Sequence, residues 1–441
     1  MPRHTLLALL AFVILMSAAG PSALTRAQTS PSEDALVKKA RAIHEKVITL
    51  DSHIDFLPAD LVGQRNYTQR LDTQFNLPNM VDGGLDALFF SIYVRQTREA
   101  QSSDAFQPSG YERAYKLAVE KFDAVRRFTR DIAPDKIALA LNSADVRRIH
   151  KQGKKVALMG VENGYPIGEE IARVKEFYDR GARYMSLTHN GHNQLADSHT
   201  GEHEGWKWHG LSPLGKQVIA EMNRLGIMVD VAHASKETMM QTATLSKAPI
   251  IASHSAARAL CNVSRNMDDE QLQALKKTGG VIQVFAYNDF LKTTRPDSSD
   301  RAAALAALKK EYGLPETTGP GQRARFQAAL KRLSVNLRAE YEKKHVEVDH
   351  QYPGDPPATI KDFVNHIDYA VKLIGIDHVG ISSDFDGGGG VIGWNDTSET
   401  FNVTLEFVRR GYTERQIEKL WGGNLLRVMD EVQRIASEVQ K

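Results

Sequence analysis

"ITLDSHIDF", residues 48–56, decides the fold, because it is apolar almost throughout and still carries His53 and Asp55 near its end. A half-buried strand alternates apolar with polar residues, whereas a strand covered on both faces of a parallel sheet reads as a continuous apolar run. Seven further runs share that character: "LDALFFSIYV" (85–94), "KVALMGVEN" (155–163), "ARYMSLTHN" (182–190), "IMVDVAHAS" (227–235), "PIIASHSAA" (249–257), "GGVIQVFA" (279–286) and "DHVGISSDFDG" (377–387). Helix-like segments separate most of them. In "SPLGKQVIAEMNRLG" (212–226), Ser212 is placed to cap, Pro213 to open and Gly226 to end a helix. Eight buried strands alternating with helices predict an α/β fold, a (β/α)8 barrel of the TIM type.

One connection breaks the short-loop pattern. About ninety residues separate the seventh run from the eighth, far beyond the usual βα loop. They include "DSSDRAAALAALKKEYG" (297–313) and "GQRARFQAALKRLSVNLRAEYEKKH" (321–345). These read as charged amphipathic helices, a helical insertion at about 287–365 with little in it to form a separate core. Residues 28–441 are accordingly expected to form one hydrolase barrel domain.

The first 27 residues have another purpose. Arg3 and His4 precede an apolar run from Leu6 to Met16, and small residues lead to Thr25-Arg26-Ala27. That order predicts a secretory signal peptide, cleaved so that the mature chain begins near Gln28. The apolar run is too short for a permanent membrane span. The protein is expected to be exported, to the periplasm or beyond, with no stable membrane anchor. Cys261 is the single cysteine, which excludes an intramolecular disulfide and any cysteine-based zinc module. With 56 basic and 54 acidic residues, the charge balance gives no reason to expect nucleic acid as a partner. A small substrate is the better expectation.

His53 and Asp55, two apart on a strand, leave the same face and could share a metal ion. Taken alone, the pair reads equally as an Asp holding a buried His in one tautomer. The other runs change that balance. They end in Glu162, His189, His233, His254 and Asp384, and the C-terminal ends of barrel strands are where barrel enzymes place their chemistry. Any one of these could be a satisfied polar residue at a strand end; six strands ending this way point to a centre. Imidazole and carboxylate donors without thiolate suit zinc in a hydrolytic site. Five ligands suggest two ions, with Glu162 bridging, His53 and Asp55 completing one and His233 and His254 the other.

The set "DSHIDF", "GVENG", "LTHN", "VDVAHAS", "IIASHSAARAL", "SRN" and "DHVGISSDFDGGGG" resembles the membrane (renal) dipeptidase family of binuclear zinc peptidases. The resemblance runs from about residue 40 to "WGGNLLRVM" near 429. It implies two Zn2+ per chain on His53, Asp55, Glu162, His233 and His254, and a metal-bridging hydroxide that attacks the peptide bond of a dipeptide. It further implies that His189 meets the scissile carbonyl side of the substrate, that Arg265 pairs with the substrate's free carboxylate, and that Asp384 relays the proton. Tolerance of a C-terminal D-residue and a homodimeric state are also suggested by the resemblance. Asp386 reads as structural. His192, after "LTHN", departs from the small residue common in the family, and His199, His203 and His209 read as a solvated rim. Two alternatives remain at this point: another amidohydrolase, such as an N-acyl amino acid deacylase or a lactamase-like enzyme, and a non-catalytic zinc-binding protein.

Overall fold

The computed structural model describes residues 32–96, 103–315 and 332–441, with Phe326, Ala329 and Leu330 between the last two stretches; the expected signal peptide lies outside the described residues. Among the described residues nine strands form one parallel sheet: β1 (Leu50–Ile54), β2 (Ala87–Tyr93), β3 (Ile137–Leu139), β4 (Lys155–Glu162), β5 (Ala182–Ser186), β6 (Met228–Asp230), β7 (Ile251–Ser255), β8 (Val281–Phe285) and β9 (Val379–Ser382). Their order is β1-β2-β4-β5-β6-β7-β8-β9, with β3 added beside the first residues of β4. Beyond β9 the sheet returns to its start, since the Asp55 amide donates to the Phe385 carbonyl at 2.9 Å and the Asp384 amide to that of His53 at 3.2 Å. The chain is a (β/α)8 barrel, and each of the eight predicted runs supplies one of its strands. The additional β3 is three residues long, too short to show a pattern.

Two apolar layers explain the unbroken hydrophobic runs. Leu50, Ala87, Phe89, Val156, Leu158, Tyr184, Met228, Ile251 and Val281 form an inner cluster, and Leu425, Leu426, Val428, Met429 and Val432 of the C-terminal helix Asn424–Val439 join it. Most of these are first residues of their strands, so the helix covers the N-terminal end of the barrel. Leu88, Phe90, Ile92, Ala157, Met159 and Val161, the alternate residues on the same strands, belong instead to the outer cluster beneath the helices. At about 0.8 kcal/mol per buried methylene, a strand buried on both faces has no position where a polar residue is free of cost. Polar residues are therefore concentrated at the strand ends.

Two irregularities aim the site. Register along β1 and β2 runs Asp51↔Leu88 and then Ile54↔Phe90, so β1 carries one extra residue around Ser52 and His53. Likewise Ala252↔Ile282 and Ser255↔Val284 place an extra residue around Ser253 and His254. Each bulge re-aims a Ser-His pair at the barrel interior.

Between β8 and β9 lie helices Ser299–Glu311, Val335–Gln351 and Ile360–Ile374. The last packs on the barrel, against helix Asp269–Lys277 and both strands. The first two share a small core of their own, built on Leu308, Leu314 and Tyr341 with Phe326 and Leu330. Sequence alone underrates this cluster, because its apolar residues are scattered over three short segments. Among the described residues no helix is long and apolar enough to cross a membrane.

Candidate metal centre

Glu162, the last residue of β4, stands at the middle of the predicted constellation. Its Oε2 is 3.2 Å from His53 Nε2, while its Oε1 is 3.1 Å from His233 Nε2, 3.4 Å from His254 Nε2 and 3.6 Å from His189 Nε2. Asp55 Oδ2 and Asp384 Oδ1 lie 3.9 and 4.0 Å from His53 Nε2. The donor atoms group as His53, Asp55, Glu162; as Glu162, His233, His254; and as His53, His254, Asp384. The backbone is bent to achieve this. Asn163, His233, Asp384 and Asp386 have φ of 78°, 64°, 58° and 61°, a region that costs a residue with a Cβ about 1–3 kcal/mol.

Three of the imidazoles facing Glu162, those of His53, His254 and His233, have their far nitrogen already engaged. Tyr184 Oη donates to the Ser52 carbonyl (3.2 Å) and so accepts from His53 Nδ1 (2.9 Å). Ser253 Oγ donates to Asp230 (2.7 Å) and accepts from His254 Nδ1 (2.9 Å). Asn190 Oδ1 accepts from His233 Nδ1 (3.0 Å). This pattern leaves three Nε2 lone pairs turned toward one carboxylate, the tautomer a metal ligand needs. His53 Nε2 is buried without a hydrogen-bond partner.

None of these supports was read from the sequence. Tyr184 reaches His53 from across the barrel only because Gly160 of β4 has no Cβ, which would lie 1.9 Å from the Tyr184 ring. Tyr184→Phe is therefore expected to weaken divalent-ion binding about 10- to 100-fold, the usual effect of losing such a partner. Competition against a chelator checks it, and unchanged affinity would refute the positioning role.

Electrostatics favour a cation here. Burial pushes Glu162 up, but the close approach of His53, His189, His233 and His254 outweighs it and holds the carboxyl well below its ordinary range. His53 shows the converse, since burial lowers it yet Glu162, Asp55 and Asp384 raise it to about 10. Three carboxylates thus demand positive charge at one point, which a proton on His53 meets and a divalent ion displacing that proton could meet in its place. Burial raises Asp384 well above an ordinary carboxyl, with Asp55 and Glu162 adding to it against the pull of His53 and Arg265.

A cavity of about 750 Å³ opens over these residues, walled by Phe56, Leu57, Tyr67, Tyr93, Tyr287 and Phe290. His189 lines it between Tyr93 and His233, at ring distances of 4.6 and 4.3 Å. Arg265 sits behind the wall, donating to the His254 carbonyl (2.8 Å) with its Nη1 buried and unpartnered. Asp386 accepts from the amides of Gln74 (2.9 Å) and Phe75 (3.2 Å), which fixes that loop to the strand end. The rim differs from expectation at one histidine. His203 and His209 are exposed, but His199 is partly buried and bridges Ser264 (3.0 Å) and Asn190 (2.9 Å), the residue that holds His233. His192 lines no part of the cavity; it donates to the Gly205 carbonyl (2.7 Å) and ties the loop to itself.

The family model described as membrane dipeptidase, peptidase family M19, matches residues 37–441. The chain is similar to the probable dipeptidase PvdM from Pseudomonas aeruginosa, 33% identical with a TM-score of 0.71 over 91% of this chain and 99% of that one. It is 29% identical to the dipeptidase aclJ of Aspergillus oryzae over 98% of this chain and 88% of that protein. A metallopeptidase from Rhodobacter sphaeroides, solved with a phosphinate mimic of L-Ala-D-Ala, shares the fold at 21% identity and a TM-score of 0.65, over 88% of this chain and 99% of that one. With the whole barrel and the six polar strand ends inside the matched region, the chain belongs to the membrane dipeptidase family, peptidase family M19, and is a metallo-dipeptidase.

Proposed function

We propose that this metallo-dipeptidase is a binuclear zinc enzyme that cleaves dipeptides with a free C-terminus, and that it acts outside the cytoplasm after removal of residues 1–27. The observation that carries the reading is the convergence of the Nε2 atoms of His53, His233 and His254 on the two oxygens of Glu162. His53 and Asp55 would hold one ion, His233 and His254 the other, and Glu162 both. Zinc bound there supplies Lewis acidity, lowering the pKa of water to about 7 and polarising a carbonyl.

The remaining steps belong to the chain's own side chains. His189, kept neutral by burial and by Arg265 against the pull of Glu162, with its pKa lowered to about 4, donates a hydrogen bond to the scissile carbonyl side. Arg265, with a buried unpartnered Nη1, takes the substrate's terminal carboxylate. Asp384 takes a proton from the attacking water and gives it to the leaving amine. The cavity's size favours short substrates. The dipeptide mimic bound by the Rhodobacter relative supports that size class, and with it the acceptance of a C-terminal D-residue.

A deacylase or lactamase-like activity would use the same metal centre without needing a free amino terminus. Zinc-loaded protein is expected to hydrolyse L-Ala-L-Ala and L-Ala-D-Ala, to lose activity on chelation and regain it with zinc, and to turn over N-acetyl-Ala-Ala at least tenfold more slowly. Faster hydrolysis of the acetylated peptide would favour the deacylase. No hydrolysis by zinc-replete protein of any of the three would favour a non-catalytic zinc-binding protein.

A further inference from the structure

Lys121 is a cavity residue that the proposed mechanism leaves unused. It lies on helix Pro108–Arg127, outside every motif that resembles the family, and its side chain lines the same cavity as Glu162 and Asp55. Its ammonium donates to the Phe56 carbonyl at 3.2 Å and stands 4.7 Å from the centre of the Phe56 ring and 5.9 Å from that of Tyr93. Among the described residues it makes no ion pair within 4.0 Å. The other cation on the lining, Arg65, is 3.3 Å from Asp72 and so has its counter-charge. Burial lowers the pKa of Lys121, opposed by Asp55 and Glu162.

Those two carboxylates are also proposed metal ligands. Once they neutralise divalent ions, Lys121 is left as a partly desolvated positive charge on an aromatic wall, with donors to spare and no anion facing it. Arg265 lies behind a different wall, beside His254 and Phe285. A dipeptide whose terminal carboxylate is held by Arg265 and whose scissile carbonyl lies at the metal centre therefore presents its first residue toward Phe56, Tyr93 and Lys121.

We propose that Lys121 is a specificity-determining residue that receives a side-chain carboxylate on the residue N-terminal to the scissile bond, so that acidic first residues are preferred. This rests on the dipeptidase reading given above. A charge-assisted hydrogen bond in such a setting is stronger than the neutral one an amide could make. A positive charge there also disfavours a basic first residue.

The test compares kcat/KM of the zinc-loaded enzyme on L-Glu-L-Ala, L-Gln-L-Ala and L-Ala-L-Ala. The expected Glu-to-Gln ratio is about ten for the parent enzyme, from the added charge. Lys121→Met brings the ratio close to one, whereas Lys121→Arg keeps it several-fold above one. Each ratio is taken on a single preparation, so a partly misfolded variant does not distort it. A parent ratio near one, or a Lys121→Met variant that retains the preference, overturns the assignment and leaves Lys121 as a counter-ion of the carboxylates. If Ala-Ala itself is not hydrolysed, the dipeptidase reading fails, and the role of Lys121 falls with it.

Discussion

Asp384→Asn is expected to lower kcat about 10²- to 10⁴-fold while metal content stays at the parent level, the range a positioned general acid contributes. Burial and the neighbouring Asp55 and Glu162 raise the proton affinity of the Asp384 carboxylate, against His53 and Arg265. A residue that must accept a proton and return it to an amine needs that environment. Its oxygen nevertheless lies 4.0 Å from His53 Nε2 and could join His53 and His254 about an ion. The substitution separates the two roles. The backbone at 384 is left-handed, with φ of 58°, a conformation Asn accepts as readily as Asp. Its shape fits the space that Gly387 leaves beside Asp384 and Asp55. Any loss therefore reports chemistry rather than folding. Metal analysis with single-turnover kinetics on Ala-Ala reads both quantities. Loss of an ion would make Asp384 a ligand, and a parent-like kcat would make it a bystander.

The barrel was legible because burial on both faces leaves a mark that survives in one sequence: a continuous apolar run, repeated eight times at helix-length intervals. The candidate residues that converge on Glu162 stood out because a polar group ending such a run has few structural reasons to be there. What holds them did not. Tyr184 looks like one more apolar residue of "ARYMSLTHN", and Gly160 like a weak point in "LMGVEN"; the ring passes over the glycine of the neighbouring strand to reach His53, a contact with no local signature. Ser253 and Asp230 act on His254 through a bulge that only strand register reveals. Lys121 sits on the hydrophilic, charged surface pattern of an ordinary amphipathic helix, and only packing turns it toward the cavity. His199 departs from the solvated rim for the same reason: its contacts to Ser264 and Asn190 are with residues 65 and 9 positions away.

Glu162→Gln should be the most damaging single change, removing both ions together and cutting dipeptide hydrolysis by on the order of 10⁴-fold or more, since the Lewis acidity would go with them. In the parent, the two carboxylate oxygens are shared out, Oε2 toward His53 and Oε1 toward His233, His254 and His189. Ser91 donates to Oε2 at 3.1 Å. An amide has one oxygen and one NH2 group, so either orientation of the substituted side chain turns a donor toward one of the two histidine groups. The hydrogens would occupy the space where that group's Nε2 lone pairs must meet an ion. The other site keeps its oxygen but loses the negative charge that helps hold a divalent cation in a buried place. Neutral glutamine is nearly isosteric with glutamate and leaves the surrounding shell of Tyr184, Ser253 and Asn190 in place, so the apo variant is expected to remain folded by circular dichroism. Elemental analysis after dialysis against zinc buffer should fall from about two equivalents per chain to none. Retention of one equivalent would mean that Glu162 serves a single ion and that the bridge between the two sites is not this carboxylate.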